Sequence, residues 1–369
     1  MRVLMVMEKT SAFGYLIQEY ARAITDAGHT LVLSFLTGEP RPDYYDKVAG
    51  VQIRFEQLSP KALRGLRLRG IATARALVRE EQPDVVIAHQ FSTVVCTALA
   101  RPLAGLHYRM IGVFHGINAG KASSRQLFLR LFGKLVDRYV MVSELQGENF
   151  RRFNRSLPRE RFVTIHNIVD GPRMNALLLP REQARAELGL DNAGFLFGYV
   201  GRLNRKKGIY ELIDGFSAAN ANMADTRLVM IGDGPEEAGI KEAAANAGVA
   251  ERVTFTGHLP DAWRYMRAFD VFVLPSWGES FGMVLAEAML AGVPVIATTG
   301  GAIPEVLGDA AVRLFPVADA EAIRDALLYA RQLSDEQRQH FSDAGLVRVQ
   351  ENFLYQGMKQ KLATLITEG

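Results

Sequence analysis

The chain has little cysteine, little tryptophan and no long uncharged apolar run. Its one cysteine among 369 residues, Cys96, excludes an intramolecular disulfide framework and fits a reducing compartment. The opening "MRVLMVME" meets Glu8 too soon for a basic-then-apolar leader, so no secretory signal is expected. No His, Cys and Asp cluster has metal-ligand spacing. No Asp-x-Asp pair occurs that could hold a divalent ion on a diphosphate. Low-complexity tracts and short-period repeats are also missing. The nearest approach to a membrane span is "GESFGMVLAEAMLAGVPVIATTGGAIPEV", Gly278 to Val306. It contains Gly282, Gly292 and Pro294, with Glu287 near its middle. A central carboxylate costs at least about 2.5 kcal/mol in a bilayer, which argues against a span.

What is present is the composition of a globular protein, 49% hydrophobic and 22% charged. Its length suggests two domains, and the charge supports a division. Residues 1–180 hold 25 Lys/Arg and 15 Asp/Glu, a net +10; the remainder hold 18 and 25, a net −7. Halves of opposite sign imply units with different partners.

Short apolar runs alternate with helical spacing. "RVLMVM", "TLVLSFL", "DVVIAHQ", "RMIGVFHG", "RYVMVSE" and "RFVTIHN" form one series of strands. "FLFGYVGR", "RLVMIGDG", "RVTFTGH", "DVFVLPS", "VPVIATT" and "AVRLFP" form a second. Continuous apolar strands separated by helices indicate parallel sheets covered on both faces. The expected organisation is an N-terminal domain over 1–170, a linker over 171–182 carrying Gly171, Pro172 and Pro180, and a C-terminal domain over 183–345. A final helical segment, 346–369, is expected to cross back to the N-terminal domain.

The Gly278–Val306 stretch parses as strand end, loop, helix and next strand. Glu279 then lies on the loop and Glu287 in the first turns of the helix. Amides of Phe281, Gly282, Met283 and Val284 open that helix at its positive end, which suits an anion. A carboxylate accepts hydrogen bonds only and suits a vicinal diol. The bland alternative is a surface-loop Glu279 and a Glu287 paired with a distant Lys or Arg. In "YVGRLNRKKGIYELIDGF", Arg202 and Lys207 leave a strand end where they could clamp a diphosphate; Arg205 and Lys206 read as solvated. Gly232, Asp233 and Gly234 of "MIGDGPE" form either a turn or a cleft floor.

"VGRLNRKKG", "IGDGPE", "FTGHLPD" and "ESFGMVLAEAMLAGVPVIAT" with its Glu-x7-Glu spacing together resemble the retaining glycosyltransferases of family 4. The resemblance covers nearly the whole chain and is weaker before residue 165. It implies an α/β, GT-B architecture: two doubly wound Rossmann-like domains facing each other across a deep cleft. It implies a hexosyltransferase using a nucleotide-diphosphate sugar as co-substrate, with no metal and no other cofactor. By the resemblance Gly201, Arg202 and Lys207 bind the donor diphosphate, and Gly232 and Asp233 belong to the donor site. Glu287 holds the ribose, Glu279 contacts the transferred sugar, and the Phe281–Val284 amides contact sugar and phosphate. His258 and Leu259 frame the base. His115, Arg202, Lys207 and Glu279 form the catalytic set. His89, Ser143 and Asn167 match acceptor-side segments, although His166 stands where the family usually has Pro. Only Gly14 marks the loop after the first strand ("EKTSAFGYL"), where the family often has a Gly-Gly pair.

The resemblance further implies a glycan or glycolipid acceptor, lipopolysaccharide or other envelope polysaccharide synthesis, and no nucleic-acid partner. The expected location is cytoplasmic, peripheral on the inner face of the membrane. Two basic stretches fit an anionic lipid surface: Lys61, Arg64, Arg67, Arg69, Arg75 and Arg79 among leucines, and Lys121, Arg125, Arg130, Lys134 and Arg138. A solvated helix face is the alternative. A nucleotide-sugar 2-epimerase of the same architecture, or a non-catalytic nucleotide-sugar-binding scaffold, also stays open.

Overall fold

The computed structural model describes residues 1–10, 14–41, 48, 50–190 and 194–368. Two compact units form: Met1–Asn167 with Tyr355–Gly369, and Ile168–Leu354.

In the first unit the chain runs β1 (Arg2–Lys9), α1 (Tyr15–Asp26), β2 (Thr30–Thr37), β3 (Gln52–Leu58), α2 (Leu68–Glu81), β4 (Val85–His89) and α3 (Phe91–Ala104). It continues through β5 (Arg109–Phe114), α4 (Ser123–Phe132), β6 (Arg138–Met141), α5 (Glu144–Phe153) and β7 (Phe162–Thr164). The strands form one parallel sheet in the order β3-β2-β1-β4-β5-β6-β7. Central strands are buried throughout, as all of β4 is. Burying each large aliphatic side chain contributes roughly 1.5–3 kcal/mol.

β3 was not among the predicted strands. It is an edge strand with one buried residue, Ile53, so no continuous apolar run marks it. Arg54 on it pairs with Glu56, Glu80 and Glu81, which charges the edge. The basic stretch 61–79 is not one continuous helix. A short 3-10 turn spans Pro60–Leu63, Arg67 is left-handed at φ 55°, and α2 starts only at Leu68.

The first unit is completed by α14 (Tyr355–Thr367), which packs on α1. The Tyr355 hydroxyl donates to Asp26 at 2.8 Å, Lys359 approaches the same carboxylate at 3.5 Å, and the Arg22 guanidinium lies 4.3 Å from the Tyr355 ring centroid. The Tyr355 hydrogen bond, followed by the two cations, holds the Asp26 carboxyl below its ordinary range.

The second unit begins with α6 (Gly171–Leu177) and α7 (Arg181–Glu187), so the segment 171–182 is largely helical. It continues as β8 (Phe195–Val200), α8 (Ile209–Ala219), β9 (Thr226–Ile231), α9 (Glu237–Asn246), β10 (Val253–Gly257) and β11 (Val271–Leu274). Then come α10 (Met283–Leu290), β12 (Val295–Thr298), α11 (Ile303–Leu307), β13 (Ala311–Phe315), α12 (Ala320–Gln332) and α13 (Asp335–Asn352). The parallel order is β10-β9-β8-β11-β12-β13. A capping box from Ser334 and Gln337 starts α13.

Each sheet therefore starts in its middle and grows outward in both directions, a doubly wound arrangement. The order reverses between β1 and β4 in one unit and between β8 and β11 in the other. Ligands in such sheets bind beyond the carboxyl ends of the strands at that reversal.

Candidate active site

At the β8/β11 reversal two loops leave neighbouring strands and bind one another. The Trp277 amide donates to the Lys206 carbonyl at 2.8 Å. Gly208 is left-handed at φ 66°, and a Cβ there would lie 2.0 Å from the Pro275 carbonyl oxygen. Only glycine permits that approach. The contact brings Lys207 to Glu279: Nζ and Oε1 are 2.6 Å apart. Beyond Glu279, Gly282 caps the N-terminus of α10 in a left-handed conformation. The Phe281 ring is buried edge-on against Phe353, so only its backbone can meet a ligand.

The same unit holds a pocket of about 990 Å³. Its lining comes from the ends of β8, β9 and β10: Gly201, Arg202, Gly232, Asp233, His258 and Leu259, together with Asp261 and Trp263. The floor is backbone against backbone. Leu203 N–H donates to the Asp233 carbonyl at 2.7 Å, and Gly232 N–H to the Gly257 carbonyl at 2.8 Å. A Cβ on Gly232 would lie 2.0 Å from the Gly201 oxygen. The turn and cleft-floor readings of Gly232–Gly234 are thus the same structure. Among the described residues no acid pairs with the exposed Arg202 guanidinium.

Glu287 lies on α10 and is mostly buried. Among the described residues no Lys or Arg reaches it, so the distant-partner alternative finds no support. Burial, with a smaller contribution from the Asp261 charge, pushes its carboxyl up to about 7. Asp261 is itself half-exposed, left-handed at φ 50°, and 3.4 Å from Arg173. Neither Glu279 nor Glu287 is part of the pocket lining.

The first unit has its own pocket of about 560 Å³ past the ends of β4 and β5. His115 lines it with Glu8, Gln90, Asn118 and Arg125. His89, fully buried at the end of β4, places Nδ1 3.0 Å from His115 Nε2, with the rings 5.3 Å apart and 11° from parallel. Burial lowers both imidazoles, His115 to about 4 and His89 well below its ordinary value.

Sequence comparison matches residues 180–347 to glycosyl transferases group 1 and residues 14–171 to glycosyltransferase family 4. The chain is a group 1, family 4 glycosyltransferase. It is similar to N-acetyl-alpha-D-glucosaminyl L-malate synthase of Bacillus anthracis, 25% identical over 86% of this chain and 84% of that one. It is also similar to the lipopolysaccharide core biosynthesis mannosyltransferase LpsB of Rhizobium meliloti (strain 1021), 34% identical over 50% of this chain and 55% of that one. The match to LpsB thus spans about half of each protein. Among solved structures, Anabaena HepE in complex with UDP and glucose superposes over 100% of both chains with TM-score 0.79 at 18% identity, and shows the GT-B fold.

The glycosyltransferase's other expected residues are distributed unevenly. Ser143 is buried and caps α5, accepting from the Gln146 amide at 3.2 Å. Asn167 is 9% exposed, and among the described residues its Oδ1 has no partner. Gly14 is the extended N-cap of α1. Ser11, Ala12 and Phe13 of the loop before it lie outside the described residues. Arg205 is not merely solvated: its guanidinium sits 4.7 Å from the Tyr210 ring and 5.6 Å from that of Trp277.

Gln146, three residues after Ser143, is not among the residues expected from the sequence. Its Nε2 donates to the Phe114 and Gly116 carbonyls at 3.0 and 2.9 Å, fixing the backbone on both sides of His115. A buried Gln inside a helix carries no sequence signal of that task. Among the described residues no cluster of three or more His, Cys, Asp or Glu could hold a metal ion. No helix there is long and apolar enough to cross a membrane.

Proposed function

We propose that this glycosyltransferase is a retaining, metal-independent hexosyltransferase. It moves a hexose from a nucleotide-diphosphate sugar to a glycan or glycolipid acceptor in lipopolysaccharide or other envelope polysaccharide synthesis. The observation that carries the reading is the β8/β11 reversal, where loops from the two strands bring Lys207 to Glu279, Arg202 at the end of β8 lines a pocket, and Gly282 caps α10 three residues after Glu279. The UDP and glucose of HepE and the role named for LpsB support the donor and acceptor classes.

In this reading the pocket of Gly201, Arg202, Gly232, Asp233, His258 and Leu259 takes the nucleotide. Glu287 accepts from the ribose hydroxyls. Arg202, Lys207 and the α10 N-terminus hold the diphosphate, Glu279 contacts the transferred sugar, and in the first unit the His115 pocket receives a sugar. The bond from sugar C1 to the diphosphate oxygen breaks, and a bond from C1 to the acceptor oxygen forms on the same face. The acceptor proton passes to the leaving phosphate, so no protein base is required. Stabilising the charge that develops on that phosphate is the main contribution expected of the protein. Two cations supply it in place of a divalent ion.

The site of action is cytoplasmic, on an anionic membrane surface. Leu127, Leu131 and Phe132 of α4 are exposed, at 58%, 61% and 40%, beside exposed Lys121, Arg130 and Lys134. In the first basic stretch, by contrast, Arg75 and Arg79 are engaged with the carbonyls of Leu103 and Ala104.

Incubation with UDP-, GDP- and ADP-hexoses and lipid-linked acceptors, with and without EDTA, tests the reading. Transfer that survives EDTA and keeps the donor's anomeric configuration is expected. Epimerisation of the donor, binding without turnover, or an inverted product would each replace it.

A further inference from the structure

We propose that His89 is a positioning residue that locks His115 in a single tautomer, with the proton on Nδ1, so that His115 can only donate to a bound sugar. This rests on the reading above that the His115 pocket receives the reacting sugar.

The two facing nitrogens, His89 Nδ1 and His115 Nε2, are 3.0 Å apart, so one donates and the other accepts. Both rings are kept neutral by burial, so one proton lies between them. The decisive atom is the remaining nitrogen of His89. Among the described residues its buried Nε2 has no partner, and the Tyr20 ring packs at 80° to the imidazole, 5.2 Å away. The Tyr20 hydroxyl is itself buried without a partner among the described residues and does not serve it.

Were His115 to donate from Nε2, His89 would accept at Nδ1 and carry its own proton on Nε2. That leaves a buried N–H with no acceptor, a defect proteins rarely tolerate. In the opposite arrangement His89 donates from Nδ1, and its buried Nε2 is only an unused lone pair. His115 Nε2 is then occupied, and its proton stands on Nδ1. Among the described residues that nitrogen has no protein partner, and His115 lines the pocket.

The rest of the surroundings removes other freedom. Gln146 clamps the carbonyls before and after His115. His89 stands on a fully buried strand, and the near-parallel rings fix the imidazole plane. The tautomer is what remains to be set, and the hydrogen bond at the other ring nitrogen sets it. A neutral imidazole so held donates to a sugar hydroxyl or a phosphate oxygen and has no lone pair with which to take a proton. His89 touches no substrate in this scheme; it acts through His115.

The test uses the full chain labelled with 15N-histidine, without ligand. Long-range proton–nitrogen spectra separate the two tautomers, and His115→Gln identifies the signal. The wild type should show His115 protonated on Nδ1. His89→Asn, whose Nδ2 takes the place of the Nδ1 donor, should keep that state and keep turnover within about threefold. His89→Leu should shift His115 toward the Nε2–H form and lower kcat about tenfold or more with little change in donor KM. An Nε2–H His115 in the wild type, or an unchanged tautomer in His89→Leu, overturns the proposal. Should His89→Leu fail to fold, the wild-type and His89→Asn spectra still decide it. The Nδ1–H state with no transfer from any donor would uphold the tautomer lock and reject the functional reading of the pocket.

Discussion

Lys207 Nζ lies 2.6 Å from Glu279 Oε1, although the residues are 72 positions apart. Their side chains are 26% and 16% exposed, so solvent screens the pair only partly. An ammonium has three donors, and one spent on Glu279 leaves two for a phosphate. The pair thus holds the cation in place while offsetting its charge before a ligand arrives.

Removing either partner should therefore have opposite effects on a bare nucleotide diphosphate. Lys207→Met should weaken binding about tenfold to a hundredfold, the roughly 1.5–3 kcal/mol of a charged hydrogen bond. Glu279→Gln should bind the diphosphate as well or better, because a competing carboxylate is gone, yet turn over more slowly. Calorimetric titration with UDP, GDP and ADP measures both. Equal weakening in the two variants would make the pair a structural tie only.

Glu287 should set a pH dependence of stability. Its carboxyl titrates at about 7 in the fold against an ordinary 4.5. Because the folded value is the higher, the contribution is fully present below about pH 4.5 and is lost as pH rises through about 7. Glu287→Gln lacks this loss. It should melt higher than the wild type at pH 8, by about 1–3 kcal/mol, with the gap closing toward pH 4.5. The same variant should bind nucleotide diphosphate more weakly, as expected of a group kept for its ligand at a cost in stability. Thermal melts across that range, with and without diphosphate, check both; a pH-independent gap would contradict the titration.

Gly208→Ala should destabilise the second unit. The new Cβ meets the Pro275 carbonyl at 2.0 Å in a left-handed conformation, so both loops must shift. A loss of about 1–3 kcal/mol in denaturant unfolding is expected, together with weaker diphosphate binding because Lys207 moves with its neighbour. Gly14→Ala, with nothing within 4 Å of the added atom, is the control and should be nearly silent.

Membrane docking through α4 should depend on both its apolar and its basic residues. The wild type should sediment with anionic vesicles and release with added salt. Leu127→Ser with Leu131→Ser should weaken this about tenfold or more, and Arg130→Ala with Lys134→Ala should reduce its salt sensitivity. Equal binding to neutral vesicles would sink the idea.

Much of this was legible in the residues alone. Continuous apolar strands announced two parallel sheets, because strands covered on both faces need no alternation. β3 was invisible for the converse reason: on an edge its residues alternate and carry charge. The Glu-x7-Glu spacing marked the α10 loop, but nothing in sequence could say that Glu279 would meet Lys207 while Glu287 would meet no cation among the described residues. Those facts depend on how two loops from different strands pack. Ser143 caps α5, a task its sequence neighbourhood does not announce, because a cap and a ligand contact look alike in sequence. The His89–His115 contact was equally hidden: adjacent parallel strands bring the two ends together only once β4 and β5 are paired in register.

The first unit is written in two pieces, Met1–Asn167 and Tyr355–Gly369, with the whole of the second unit between them. On the ribosome, α1 must therefore wait for its partner while Ile168–Leu354 is made and can already close on itself. The buried Met358, Leu362, Leu365 and Ile366 arrive last. Until then the apolar face that α14 covers stays open to chaperones and to other nascent chains. A chain stopped after Leu354 should release a second unit able to bind nucleotide, attached to a first unit that aggregates.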